Sequence, residues 1–161
     1  MNCATKPAEQ AVEQQASRTD DSIQDMVLQM DACAKIILSH TTDELLLMYP
    51  GSQKQQLAPG FEHYILNMPY SPSVSVEKDT VTEVIFSLAT FQFQASIIQE
   101  IRSELIMLYD MPYYTSYFLT EFRPSDPLIS RITLAFLHTD EHVQYLCYLS
   151  YDGAKYRSFN Y

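Results

Sequence analysis

The sequence predicts an α+β fold in which N-terminal helices pack on a C-terminal antiparallel sheet of three to four strands. Apolar residues recur at spacings of three and four up to about Tyr109, which is the period of an amphipathic helix. After Pro112 the period becomes two, and aromatic and β-branched residues follow at the spacing of strands. The length predicts one α+β domain over residues 19–161, preceded by a flexible tail over residues 1–18 that offers almost nothing to a core.

The first two helices are predicted over residues 22–38 and 42–49. Asp21-Ser22-Ile23-Gln24 has the pattern of a capping box, and an apolar stripe follows it. Thr41-Thr42-Asp43-Glu44 repeats that pattern, and Pro50-Gly51 ends the short helix behind it. Residues 52–67, which Pro59-Gly60 divides, are predicted to form at most one or two helical turns.

A third helix is predicted over residues 80–109. Thr80-Val81-Thr82-Glu83 has a third capping-box pattern, and the second half of the segment carries a clear helical stripe. In the first half, Val84, Phe86 and Leu88 also fit the alternation of a strand. A strand over about 80–93 is therefore the alternative for this part.

Strands are predicted over residues 113–122, 129–138, 142–151 and 154–161. Asp152-Gly153 is a strong signal for a type I′ hairpin before the last strand, since both central positions of that turn need a positive φ. Short connections make the last three strands an antiparallel meander. The strand over 142–151 is apolar on both parities, which predicts a central position in the sheet.

The charge favours a basic protein as the partner. Twenty Asp and Glu against ten Lys and Arg give a net charge of -10, which disfavours binding to nucleic acids and to anionic membranes. No segment approaches the roughly 18–20 apolar residues of a transmembrane helix, and no signal peptide is present, so a cytoplasmic location is predicted. The alternative is a periplasmic lipoprotein anchored at Cys3 after removal of an upstream signal peptide, which would leave Cys33 and Cys147 able to form a disulfide.

The sequence favours a protein that is not an enzyme. Its three glycines, Gly51, Gly60 and Gly153, are isolated, which excludes a P-loop, a dinucleotide fingerprint and a nucleophile elbow. The segment from His138 to His142 concentrates two imidazoles and two carboxylates, but a polar hairpin loop explains it better than a metal site. His63 is interpreted as structural or exposed. No catalytic residue, metal site or cofactor is predicted.

The predicted site is an aromatic face of the sheet. If helices cover one face, something else must cover the other, and Tyr is favoured where one side of a ring is buried and the other is wet. Its predicted members are Tyr114, Phe118, Phe122, Tyr148, Phe159 and Tyr161. This face would bind a partner or form a homodimer; the alternative is that the helical half wraps both faces of the sheet.

The predicted function is that of a small, acidic, non-catalytic protein-binding module, of the inhibitor, immunity or secretion-chaperone type, that engages a more basic protein. The alternative is a cone-like α+β binder of small molecules, or a simple lyase or isomerase, with a pocket between helices and sheet. A deep cavity that holds tyrosine hydroxyls with His63 or His138 would favour the alternative. A filled interface between helices and sheet would favour the protein-binding module.

Overall fold

The computed structural model of the protein describes residues 19–59, 61–88, 95–139 and 144–154. Within those residues lie the helices α1 (Thr19–Leu38), α2 (Thr42–Met48) and α3 (Ala95–Tyr109). The strands are β1 (Gln53–Ala58), β2 (Phe61–Ile65), β3 (Ser73–Glu77), β4 (Thr80–Ser87), β5 (Tyr114–Thr115), β6 (Leu119–Phe122), β7 (Ile129–Thr139) and β8 (Gln144–Gly153). The α+β class and the antiparallel sheet are confirmed, but the sheet has eight described strands rather than three to four.

The strands form one sheet in the order β1-β2-β3-β4-β8-β7-β6-β5, and every neighbouring pair is antiparallel. Two meanders, β1 to β4 and β5 to β8, therefore meet where β8 pairs with β4. The helix α3 connects them along the chain. This arrangement confirms the central position predicted for the strand that begins near residue 142.

The first two helices lie where they were predicted, but α1 begins at Thr19, so the start predicted from the capping-box pattern at Asp21 is wrong. In α1 the apolar stripe is buried, with Val27, Met30 and Ile37 fully shielded from solvent. At the start of α2 the capping box is formed: the backbone N–H of Glu44 donates to Oγ1 of Thr41 at 3.2 Å, and the N–H of Thr41 donates to Oε1 of Glu44 at 2.9 Å. These bonds satisfy donors that the first helical turn would leave unpaired.

The prediction of a helix over 80–109 is wrong in its first part. Residues 80–87 form β4, so the alternative of a strand is confirmed there, and α3 begins only at Ala95. Thr80, the predicted cap, begins β4 instead and pairs with Glu77 of β3. The strand prevails because its alternate residues Val84 and Phe86 are completely buried, whereas a helix would split that apolar set between its faces.

The prediction of helical turns over residues 52–67 is also wrong. This segment forms the hairpin β1–β2, and β3 follows it without having been predicted. The strand β1 lies at the edge of the sheet and reads Gln-Lys-Gln-Gln-Leu-Ala, so its alternation is too polar to detect. Polar residues and Lys on an edge strand discourage pairing with other chains.

The C-terminal strands differ from the prediction in two places. The predicted strand over 113–122 is split into β5 and β6 by a tight turn, whereas β7 and β8 confirm the strands predicted from 129 and 142. Asp152 and Gly153 do not form a turn; they lie in β8 opposite Arg131 and Ile129 of β7. Residues 155–161, which were predicted as a further strand, and the predicted tail over 1–18 lie outside the described residues.

Gly153 is required for close packing rather than for a turn. A Cβ atom there would lie 3.1 Å from the carbonyl oxygen of Val81 and 3.2 Å from Cδ2 of Leu38. A glycine inside a strand often marks such an approach of a neighbouring backbone. Gly153 predicted a turn from the sequence, but this close packing explains it instead.

The helices lie on one face of the sheet and form the core with it. The helix α1 packs against α3 and β4. From α3, the Nε of Arg102 donates to the hydroxyl of the buried Thr120 at 2.8 Å, while Ile101 and Leu105 are completely buried. From α2, Leu45 enters the same core. No helix in the described part of the chain is long and apolar enough to cross a membrane.

Candidate functional site

The predicted site residues occupy three different environments. Tyr114 and Phe118 are half exposed, at 51% and 50%, near the β5 edge of the sheet. Tyr148 is half-buried on the face of β8 opposite the helices. Phe122 is 1% exposed and lies in the core, so it cannot contact a partner at the surface. Phe159 and Tyr161 lie outside the described residues.

A tight turn between β5 and β6 separates Phe122 from the surface residues. The N–H of Ser116 donates to the carbonyl of Leu119 at 2.7 Å, and the N–H of Leu119 donates to Oγ of Ser116 at 3.2 Å. The alternation of side chains between the two faces of the sheet does not continue through this turn. Tyr114 and Phe122, an even number of residues apart, therefore do not share a face. Tyr117 and Phe118 occupy the two positions at its tip.

Two aromatic residues at the tip of a hairpin are unusual. Such positions favour Gly, Asn or Asp, which adopt turn conformations easily. Here Tyr117 and Phe118 pack edge to face, with 4.8 Å between ring centroids. Both rings also contact the buried Phe136, at 5.6 and 6.1 Å between centroids. The tip is therefore held by the core on one side, yet each ring keeps half or more of its surface in solvent.

Tyr113 and Tyr114 extend this exposed group along β5. Tyr113 is 64% exposed, and Cζ of Arg123 lies 3.7 Å from its ring centroid. We call Tyr113, Tyr114, Tyr117 and Phe118 the aromatic surface. The sequence prediction missed Tyr113 and Tyr117, although the concentration of aromatic residues without Gly or Asn from Tyr113 to Phe118 could have indicated them.

The segment that carries the aromatic surface is acidic. Between Ser103 and Phe122 the sequence contains Glu104, Asp110 and Glu121 but no Lys or Arg. Both arginines that flank it are bonded to it: Arg123 is paired with Glu121 at 2.7 Å, and Nε of Arg102 donates to the hydroxyl of Thr120 at 2.8 Å. This local charge has the same sign as the net charge of the chain, which is -10.

The interior contains a polar cluster centred on Asp31 of α1. Its carboxylate accepts hydrogen bonds from the hydroxyl of Tyr109 on α3 and, at 3.0 Å, from the hydroxyl of Tyr151 on β8. Lys35 forms a salt bridge with the same carboxylate at 3.0 Å. Burial and the nearby carboxylate raise the pKa of Tyr109 and of Tyr151, so both phenols stay protonated as donors. The cluster joins the two long helices to the centre of the sheet.

A row of polar residues crosses the opposite face of the sheet. Glu83, Asp152 and Arg131 lie side by side on β4, β8 and β7. Arg131 donates to Asp152 through Nε at 2.7 Å and forms an ion pair through Nη2 at 2.6 Å. Burial, and then the negative charge of Asp152, raise the pKa of Glu83. His63 belongs to the same row, opposite Ser75 on β3, and lines neither of the two cavities formed by described residues.

The remaining candidates offer no reactive group in the described part of the chain. Cys33 and Cys147 are buried and unpaired, and burial raises the pKa of Cys147 to about 12, so its thiol stays protonated. His138 begins the predicted metal segment, but residues 140–142 lie outside the described residues. No group of three or more His, Cys, Asp or Glu residues suited to a metal ion occurs among the described residues.

Two small cavities are lined by described residues. The first, about 70 Å³, lies at the end of α1 beside His40, Asp79 and Gly153. The second, about 140 Å³, lies beside Gln53 and Asn67. Both are smaller than the roughly 300–1,000 Å³ that sites for organic ligands usually occupy. Between the helices and β4, β7 and β8, buried side chains of both layers fill the interface.

The comparisons with known proteins give no relative. No protein-family model, no curated protein and no solved structure matches the chain. Functional inference therefore depends on the geometry and charge described above.

Proposed function

We propose that the protein is a small, acidic, non-catalytic binding module, of the inhibitor, immunity or secretion-chaperone type, that engages a more basic protein. The observation that carries this proposal is the aromatic surface, whose four rings are each at least half exposed at one edge of the sheet. Tyrosine is among the residues that contribute most to binding at protein interfaces. The net charge of -10 supports a basic partner.

The packing of the hairpin tip supports binding over a purely structural role. Phe136 holds Tyr117 and Phe118 in place from one side, so little side-chain entropy remains to be lost when a partner covers the other side. A tip with only a structural role would gain more from Asn-Gly than from two large rings. Exposed rings that are already ordered are typical of interface anchors.

The packing gives less support to a small-molecule binder between helices and sheet. The hydroxyls of Tyr109 and Tyr151, which could line such a pocket, bind Asp31 inside the core. Tyr64 likewise donates to Glu62 on its own strand. The described residues at this interface thus provide core packing rather than a cleft with open polar groups.

The proposal is tested by affinity capture with matched baits. The full chain, a Tyr117→Ser/Phe118→Ser variant and a Leu47→Ser/Met48→Ser control are immobilised and exposed to an extract of the source cells. The control also removes two adjacent exposed apolar residues, but from α2. We expect the first and third baits to retain one stoichiometric basic protein that the tip variant loses. Circular dichroism checks that all three baits are folded.

Two outcomes would reject the proposal. The first is that no stoichiometric protein is captured, and the second is that all three baits capture the same proteins. Light scattering on the isolated chain tests the homodimer separately. A doubled mass that returns to 18.6 kDa in the tip variant would assign the aromatic surface to a second copy rather than to a basic partner.

A further inference from the structure

One exposed guanidinium of the chain is held between a carboxylate and a tyrosine ring. Nε of Arg123 donates to Oε2 of Glu121 at 2.7 Å, and Cζ lies 3.7 Å from the ring centroid of Tyr113. By comparison, Nζ of Lys35 lies 5.6 Å from the ring centroid of Tyr109. A planar, weakly hydrated guanidinium stacks on a ring more closely than a compact, strongly hydrated ammonium does.

Tyr114 supplies a second ring beside the same carboxylate. It lies directly opposite Glu121 in the β5–β6 pair, where facing Cβ atoms are about 4.5–5.5 Å apart. Its ring is 51% exposed and contacts no other ring in the described part of the chain. Arg123 uses Oε2 of Glu121, and Oε1 accepts no hydrogen bond from a described residue. Within the described part of the chain, the half-exposed ring of Tyr114 and Oε1 of Glu121, whose side chain is 14% exposed, therefore face each other across the strand pair without a partner.

The position of this pair favours a side chain that comes from an extended segment. The strand β5 ends the sheet, so its outer edge has no partner strand among the described residues. A segment that aligns with a sheet edge directs alternate side chains to the same face. The chain has no Lys or Arg between Ser103 and Phe122, and Arg123 is already paired with Glu121, so any further positive charge at this edge comes from a partner.

We propose that Tyr114 and Glu121 form an arginine site, which takes the guanidinium of an extended, arginine-containing segment of the basic partner. This inference rests on the proposed function and names the chemistry that the partner must present. The bound guanidinium stacks on Tyr114 and donates to Oε1 of Glu121, which repeats the contacts of Arg123 with Tyr113 and Oε2. Lysine binds more weakly because it lacks the planar face.

The test uses three labelled ten-residue peptides of equal length. In the first, arginine alternates with threonine; in the second, lysine replaces arginine; in the third, uncharged citrulline does. Binding to the full chain is measured by fluorescence anisotropy at one ionic strength. We expect the arginine peptide to bind about fivefold or more tightly than the lysine peptide, and the citrulline peptide to bind most weakly.

Three variants separate the arginine site from general charge attraction. Tyr114→Leu keeps apolar area but removes the ring, so the ratio of arginine to lysine affinity falls to about one. Arg123→Gln vacates Tyr113 and Oε2 of Glu121, so the ratio rises above that of the wild type. Phe61→Leu removes a ring that is 52% exposed on β2 and leaves the ratio unchanged.

Equal affinity for the arginine and lysine peptides would overturn the arginine site. So would a preference that survives Tyr114→Leu in a variant whose circular dichroism matches the wild type. If affinity capture still depends on Tyr117 and Phe118 in that case, the proposed function stands and only the arginine site fails. If capture itself fails, the proposed function is rejected whatever the peptides show.

Discussion

Asp31 is a charged residue whose burial is offset by three partners. Its side chain is 8% exposed, and it contacts Lys35, Tyr109 and Tyr151. A buried carboxylate without partners would cost several kcal/mol, whereas hydrogen bonds from two phenols and one ion pair offset much of that cost. Because the partners come from α1, α3 and β8, this one side chain fixes how the helices sit on the sheet.

Replacement of Asp31 by Ala should destabilise the fold by about 2–4 kcal/mol, since it leaves two buried hydroxyls without their acceptor. Unfolding by urea, followed by circular dichroism, measures the change. Asp25→Ala is the matched control, because Asp25 is exposed on the same helix and gains the same helix propensity. A loss for Asp31→Ala no larger than that for Asp25→Ala would show that the cluster contributes nothing.

Glu83 is a carboxyl group that the fold holds in an unfavourable place for its charge. Burial is the main cause of its raised pKa, the charge of Asp152 is the second, and the attraction of Arg131 opposes both. Because the pKa is raised in the folded state, Glu83 contributes to stability when it is protonated. That contribution is complete at pH values below the ordinary pKa of glutamate. That contribution is lost as the pH rises through the raised pKa.

Glu83→Gln should therefore stabilise the protein by about 0.5–1 kcal/mol near pH 8 and have almost no effect near pH 4. Urea unfolding at both pH values measures the difference, with Glu77→Gln on β3 as the control for a sheet carboxyl away from Asp152. Loss of stability in Glu83→Gln near pH 8 would mean that the attraction of Arg131 dominates.

At the scale of elements, backbone conformation identifies a two-residue hairpin turn at Lys78 and Asp79 and not at Asp152-Gly153, where the sequence predicted one. Lys78 and Asp79 both have a positive φ, at 52° and 62°, and connect β3 to β4 in a two-residue turn. A type I′ turn needs this conformation, which most residues other than Gly and Asn adopt at a cost. The sequence signal at Asp152-Gly153 was stronger, yet those residues continue β8.

Asp79→Gly should stabilise the protein by about 0.5–1 kcal/mol, because glycine adopts the positive φ without steric cost. Gly51→Ala should destabilise the protein by about 1 kcal/mol or more. Gly51 has a φ of 91°, and a Cβ there would lie 3.3 Å from Nδ2 of Asn67. Thermal unfolding of both variants checks the pair. A loss of stability in Asp79→Gly would contradict the assignment of the turn at Lys78 and Asp79, and a gain in Gly51→Ala would contradict the steric cost expected at Gly51.

Elements with a strong amphipathic pattern were predictable, and edge elements were not. The helix α1 and the strand β7 each bury one clear stripe, so the sequence located both within a few residues. In β2 only Tyr64 is buried, and the polar composition of β1 and β2 hides the alternation. For β4, helix and strand patterns competed, and pairing with β3 and β8 decided between them.

At the scale of the whole molecule, the charge opposes folding through self-repulsion. A net charge of -10 over 161 residues is concentrated when the chain becomes compact, and salt weakens this repulsion. Raising NaCl from about 10 to about 150 mM should raise Tm by about 2–4 °C. Scanning calorimetry measures the change, with sucrose of equal osmolality as a control for effects other than screening. A lower Tm in salt would show that specific ion pairs outweigh the repulsion.

The candidate site was only partly predictable for the same reason that the turns were not. Aromatic composition indicated Tyr114 and Phe118, but the turn that separates Tyr114 from Phe122, with Phe118 at its tip, changes which face each residue meets. The pairing of Tyr114 with Glu121, and of Tyr113 with Arg123, depends on the register of β5 against β6. Register follows from the turn and from the packing on Phe136, and neither has a local signature.

The sequence by itself determined the α+β class, the first two helices with the cap at Thr41, the strands β7 and β8, and the acidic charge. Each depends on a local pattern or on composition, which the chain carries before it folds. The tertiary structure alone decided the eight-stranded order, the strand at 80–87, the burial of Phe122 and the arrangement of Tyr114, Glu121 and Arg123. These depend on contacts between residues far apart along the chain, whose free energies appear only when both partners are in place.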